Sequence, residues 1–168
     1  MGVFDFFQKA DYKTAAATIK KQALGIDVNT TERQFVKIIN IDLSSYIKER
    51  NLMRIGISRS AVALFWSQAQ KEKSLQDLSY HLHDLYEQFF AALPNSPPDY
   101  ASDTLRHIEK NYRLEDPQIV AARLIHHLTN GKATDLDPIV VAPFIEIVRL
   151  LARDVLLTVG NEVKKITR

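Results

Sequence analysis

The sequence predicts an all-α protein, a single-domain multi-helix bundle of about six or seven helices. Three observations predict it. Apolar residues recur at helical spacing along most of the 168 residues. Capping and breaking residues (Gly25, Pro94 to Pro98, Asp116-Pro117, Gly131, Asp137-Pro138) fall between the periodic runs. A content of 46% hydrophobic and 25% charged residues at this length suits one ordinary globular domain, residues 1–168, which can bury a core without disulfide or metal staples.

A first helix should run from Phe4 to Leu24 through Ala15, Ala16, Ala17, Ile19 and Ala23, with Gly25 as a left-handed cap. Asn29-Thr30-Thr31 offers N-caps, Thr31 and Gln34 stand at capping-box spacing, and Phe35, Ile39, Leu43, Tyr46 and Ile47 carry a second helix to about Arg50. Gly56-Ile57-Ser58 reads as a turn before a third helix over Ala61 to Lys73. Ser74 to Asp77 has capping-box form and opens a fourth, amphipathic helix whose stripe is Leu75, Leu78, Leu82, Leu85, Phe89 and Leu93. After the proline loop a fifth helix covers Tyr100 to Tyr112. Both remaining helices open on Asp-Pro, an N-cap carboxylate followed by a proline whose missing N–H costs nothing there. Gly131 closes the sixth. The last, Ile139 to Val159, is so apolar that it reads as the central helix, bent by Pro143 near its start. Its narrow polar line of Glu146, Arg149, Arg153 and Asp154 argues against a membrane span.

Absence of cysteine excludes disulfides, thiolate zinc sites, iron–sulfur clusters and cysteine nucleophiles. The N-terminus has no basic region before its aromatics, and Asp5 interrupts any hydrophobic signal core, so the expected location is cytoplasmic. Phosphate-binding and dinucleotide fingerprints are absent. Gly56-Ile57-Ser58 begins like a nucleophile elbow but holds Ser60 where the second glycine belongs. His83 and Glu87 share a helix face, while the adjacent His126 and His127 diverge by about 100° on a helix. Without a metal-binding motif, no metal, cofactor or catalytic residue is assigned.

Charge is distributed more tellingly than the net +2 suggests: Lys48 to Lys73 holds six basic against two acidic residues, and Ser74 to Asp116 eight acidic against three basic. Either the basic stretch meets an acidic partner such as nucleic acid, or the two stretches neutralise each other across a helix pair. Ile55-Gly56-Ile57-Ser58-Arg59-Ser60-Ala61-Val62, within Lys48 to Phe65, resembles the turn and recognition-helix start of helix-turn-helix DNA-binding modules. That resemblance implies Arg54 and Arg59 as contacts to phosphates or bases. It departs from the pattern at Leu52 and at the apolar run Ala63-Leu64-Phe65-Trp66, which suits packing better than a groove.

Three function classes follow. The leading expectation is a non-catalytic helical protein that binds another protein or itself, with residues 1–24 as a contact segment and Phe4, Phe6 and Phe7 as the contact residues. The second is a DNA-binding regulator using Arg54 and Arg59. The third is a small-ligand binder or enzyme with a bundle cavity beside the last helix, its polar groups being Glu146, Arg149, Arg153 and His127.

Overall fold

The structure, a computed structural model, describes residues 11–69, 72–131 and 138–167, and for 138–140 the backbone alone. Among the described residues there are seven helices and no strand. They are α1 (Tyr12–Ala23), α2 (Thr30–Ile38), α3 (Leu43–Gln68), α4 (Lys73–Ala91), α5 (Tyr100–Asn111), α6 (Pro117–Leu128) and α7 (Pro138–Ile166). The predicted all-α bundle is what the chain forms.

Local chemistry explains most boundaries. Asp11, Asp42 and Asp116 each accept a backbone N–H from the first turn of α1, α3 and α6, and Pro117 holds the first position of α6. Asn130 and Gly131 end α6 with positive φ angles of 51° and 72°. Four expectations need correction. The capping box of α2 is formed by Asn29 and Glu32, whose side chains bond each other's backbone N–H at 2.9 Å, rather than by Thr31 and Gln34. α4 starts after Glu72, which makes no side-chain cap, so the Ser74 box does not form. The second helix stops at Ile38, because Asn40 takes a left-handed φ of 53° and redirects the chain before Asp42 caps α3. Gly25 does not adopt positive φ; its carbonyl faces Arg50 and a Cβ there would lie 3.2 Å from Arg54 Nη1.

The largest departure is at Gly56, where α3 continues unbroken for 26 residues instead of turning. Residues 52 to 58 are all buried, so this stretch of α3 is surrounded and presents no single apolar face. Gly56 is there because α5 ends against it: a Cβ on Gly56 would stand 2.1 Å from the Tyr112 carbonyl oxygen. α3 is thus the central helix, touching α1, α2, α4, α5, α6 and α7. α7, expected in that place, buries Phe144, Ile147, Val148, Val155, Val159 and Val163 but leaves one face to solvent, including Pro143, Leu150 and Leu157. Phe144 stacks on Phe35 of α2 at 3.9 Å between ring centroids. Among the described residues no helix is long and apolar enough to cross a membrane.

Candidate functional site

Arg50 and Glu49 are neighbours on α3, so their side chains leave the helix about 100° apart and meet different surroundings. Arg50 is fully buried on the α2 side. It donates to the carbonyls of Gly25 and Asp27 and to Glu32 Oε1, the last at 3.1 Å. Glu32 also accepts the Tyr46 hydroxyl at 2.8 Å. Burial, with the Glu32 carboxylate next to it, pushes the Tyr46 phenol far up from its ordinary value. The acceptors of this cluster are engaged inside the fold.

Glu49 points toward α5 and α6. Its carboxylate accepts the Tyr112 hydroxyl at 2.5 Å and lies 3.6 Å from His107 Nε2. His127 arrives from α6, with its ring centroid 4.9 Å from that of His107 and 5.8 Å from that of Tyr112. One ligand atom each from Glu49, His107 and His127 fits within 4.8 Å, and all three residues are half-buried. Burial foremost pulls the His127 pKa down; Glu49 opposes this, and His107 and His126 add to it. Asn111, one turn after His107, places its amide nitrogen 3.1 Å from His107 Nδ1 and donates to the His107 carbonyl.

Glu49 and His107 line a polar cavity of about 320 Å³ whose wall includes Lys48, Leu52 and Tyr100. The same three residues border an apolar slot of about 330 Å³ floored by Ile55, Phe89 and Phe90 and closed at its end by Leu24 and Leu93. Lys48 is exposed at the slot's rim, and the Lys20 ammonium sits 5.6 Å from the Phe89 ring centre. Sharing Lys48, Leu52 and Tyr100, the two adjoin in one groove, with two lysines by its apolar end and the Glu49 carboxylate and His107 imidazole at its polar end.

Of the residues singled out in the sequence, Phe4, Phe6 and Phe7 lie outside the described residues. Arg54 is 8% exposed, and its guanidinium is shifted down by burial and by Arg50 beside it, so it offers nothing to a nucleic-acid backbone. Arg59 pairs with Glu109 of α5 at 2.6 Å and lies 3.1 Å from His83 Nδ1 on α4, joining the basic stretch to the acidic one. With α3 continuous through Gly56, no helix-turn-helix exists there. Glu146 and Arg149 bond each other at 2.6 Å on the exposed face of α7, where Arg153 is exposed too. His127 joins Glu49 and His107 instead of those groups. Sequence spacing did separate His126 from His127, but only packing brings His127 to His107, 20 positions away, and to Glu49. No local signal announces that triad.

Fold and groove define the class: an all-α bundle built around one long central helix, with a mixed apolar and polar groove along α3. Compared with protein-family models, curated proteins and solved structures, the chain matches none.

Proposed function

We propose that the protein is a non-catalytic helical protein that works by self-association, the apolar slot on α3 and α4 receiving the Phe4-Asp5-Phe6-Phe7 segment of a second copy. The slot carries the reading. It is large enough for an aromatic anchor, and its Lys20 and Lys48 suit a segment that sets a carboxylate among phenyl rings. Reciprocal exchange of the segments between two chains gives a closed two-fold dimer; one-way insertion gives open chains. In either arrangement each buried phenyl contributes roughly 1.5–3 kcal/mol before ordering costs.

Sedimentation over a wide concentration range tests the proposal. The unmodified chain should shift from monomer to dimer or larger species as concentration rises. Phe4→Ser with Phe7→Ser, and separately Lys20→Glu with Lys48→Glu, should each abolish the shift while the monomer's melting temperature stays unchanged. A chain that is monomeric at every concentration, or assembly indifferent to both pairs of changes, sinks the proposal. A lower melting temperature of the phenylalanine variant in an always-monomeric chain would assign the segment to its own core instead.

A further inference from the structure

The polar end of the groove holds chemistry that self-association does not use. Glu49 from α3, His107 from α5 and His127 from α6 bring their ligand atoms within 4.8 Å of one another. Two of them, His107 Nε2 and Glu49 Oε1, are 3.6 Å apart, close to the ~3.4 Å between ligands of one tetrahedral zinc ion with bonds of about 2.1 Å. We propose that Glu49, His107 and His127 form a binding site for a divalent transition-metal ion, zinc before others.

The donor set selects the ion. Two imidazole nitrogens and one carboxylate suit zinc and its borderline neighbours, whereas calcium and magnesium favour sets made of oxygen alone. Three protein ligands from three separate helices leave a fourth position of a tetrahedron open, and the polar cavity lined by Glu49 and His107 gives that position access to water or a small ligand. Around the ligands, the Tyr112 hydroxyl donates to Glu49 Oε1, the oxygen that also faces His107 Nε2, and so holds the carboxylate in place, as supporting hydrogen bonds do in metal sites. Tyr112 is itself fully buried and held against Gly56, so the support is rigid.

His107 imposes one condition. While Asn111 donates to Nδ1, the ring proton of neutral His107 resides on Nε2, the atom that faces Glu49. Coordination through Nε2 moves that proton to Nδ1 and turns the Asn111 side chain so that its oxygen accepts. The rotation also gives up the bond from the Asn111 amide to the His107 carbonyl, so it lowers affinity relative to a site whose histidine is already oriented.

Titration of the full chain with Co²⁺ alone, read by the visible absorption of the tetrahedrally bound ion, and displacement by Zn²⁺ test the site. One ion per chain should bind, with Zn²⁺ displacing Co²⁺. His107→Gln and His127→Gln should each weaken binding by at least about 10-fold, the lower end of what disturbing a metal site's support costs. His126→Gln, beside the cluster but outside it, should leave affinity unchanged. Glu49→Gln is the variant least disturbing to the fold, because an amide oxygen still accepts from Tyr112; it too should weaken binding. Circular dichroism melts establish that each variant is folded. Failure to bind either ion, or equal binding by the folded double variant at His107 and His127, overturns the proposal. Sedimentation of the histidine variants keeps the two readings apart, since the slot lacks these residues.

Discussion

Two polar clusters lie on neighbouring faces of α3, one built on Arg50 and one on Glu49, and they differ in what their polar groups have left to do. Around Arg50 the Glu32 carboxylate and two backbone carbonyls accept from the guanidinium, and Glu32 from the Tyr46 hydroxyl, all inside the fold, where Arg50 Nε is left without a partner and out of reach of solvent. Around Glu49 the imidazoles of His107 and His127 converge on a carboxylate at the edge of a cavity, half-buried and within reach of an ion once the His107 ring proton moves to Nδ1. A buried ion pair with every acceptor engaged holds a fold in one arrangement; a half-buried set of convergent donors is where a ligand can enter. The difference teaches that charge alone does not mark a site, whereas unengaged and accessible polar atoms do.

The largest expected effect breaks this comparison if it fails. Glu32→Gln leaves Arg50 buried without its counter-charge and should destabilise the protein by roughly 3–5 kcal/mol, while Glu49→Gln should cost under about 1 kcal/mol. Urea unfolding of the two variants measures both. Replacing the pair together, Glu32→Leu with Arg50→Met, should recover most of the loss, because the desolvation penalty disappears with both charges. Equal costs for the two single variants would mean that the clusters play the same part.

A second pair of variants tests how tightly the platform behind Glu49 is built. Gly56→Ala forces a Cβ to within 2.1 Å of the Tyr112 carbonyl, where backbone must move, and should cost about 1–3 kcal/mol or more. Gly160→Ala on α7 meets only Phe65 Cζ at 3.6 Å, an ordinary contact, and should gain roughly 0.5–1 kcal/mol from helix propensity. Thermal melting should therefore move in opposite directions for the same chemical change. If Gly56→Ala melts as the unmodified chain does, α5 does not press on α3 as described.

The contrast between those glycines also says why the fold was readable and the site was not. Helix identity and order follow from signals written locally: the amphipathic stripe of α4, the Asp116-Pro117 opening of α6, the Asn130-Gly131 close. Glycine, in contrast, is an ambiguous letter. At Gly131 it supplies a positive φ, at Gly56 it supplies the absence of a side chain, and sequence does not distinguish the two uses. Read as a turn, Gly56 divides α3 and suggests a DNA-binding motif, and that division conceals α3's place as the central helix. The Glu49, His107 and His127 set was illegible for another reason. Its members stand on three helices, and only the packing of α5 and α6 on α3 makes them neighbours.

At the open cluster a smaller effect sharpens the metal reading. Asn111→Asp replaces a group that donates to His107 Nδ1 with a carboxylate that accepts from it, placing the ring proton on Nδ1 and freeing Nε2. Zinc affinity should rise by roughly 10-fold, within the range by which supporting groups alter metal sites. Isothermal titration compares the two chains; an affinity that falls would show that His107 does not coordinate through Nε2.

The smallest effect concerns the caps that start the helices on either side of Asn40. Asn29 caps α2 with a neutral amide, while Asp42 caps α3 with a carboxylate that takes the Ser45 backbone N–H at 2.9 Å and the Ser44 hydroxyl. The Ser44 hydroxyl first, and then the Ser45 N–H, hold the Asp42 carboxyl below its ordinary value of 3.8. A carboxyl whose folded pKa is lowered contributes stability that is present above the unfolded value and is lost as pH falls through the folded one. Asp42→Asn keeps an acceptor for Ser45 but removes the charge at the N-terminus of α3, so its chain should be slightly less stable at neutral pH. As pH falls below 3.8 the gap should close, because the unmodified cap becomes neutral as well. Urea midpoints for both chains from about pH 7 to about pH 2 trace this. A gap that persists to the lowest pH would assign the contribution of Asp42 to hydrogen-bond geometry alone, making it a cap of the same kind as Asn29.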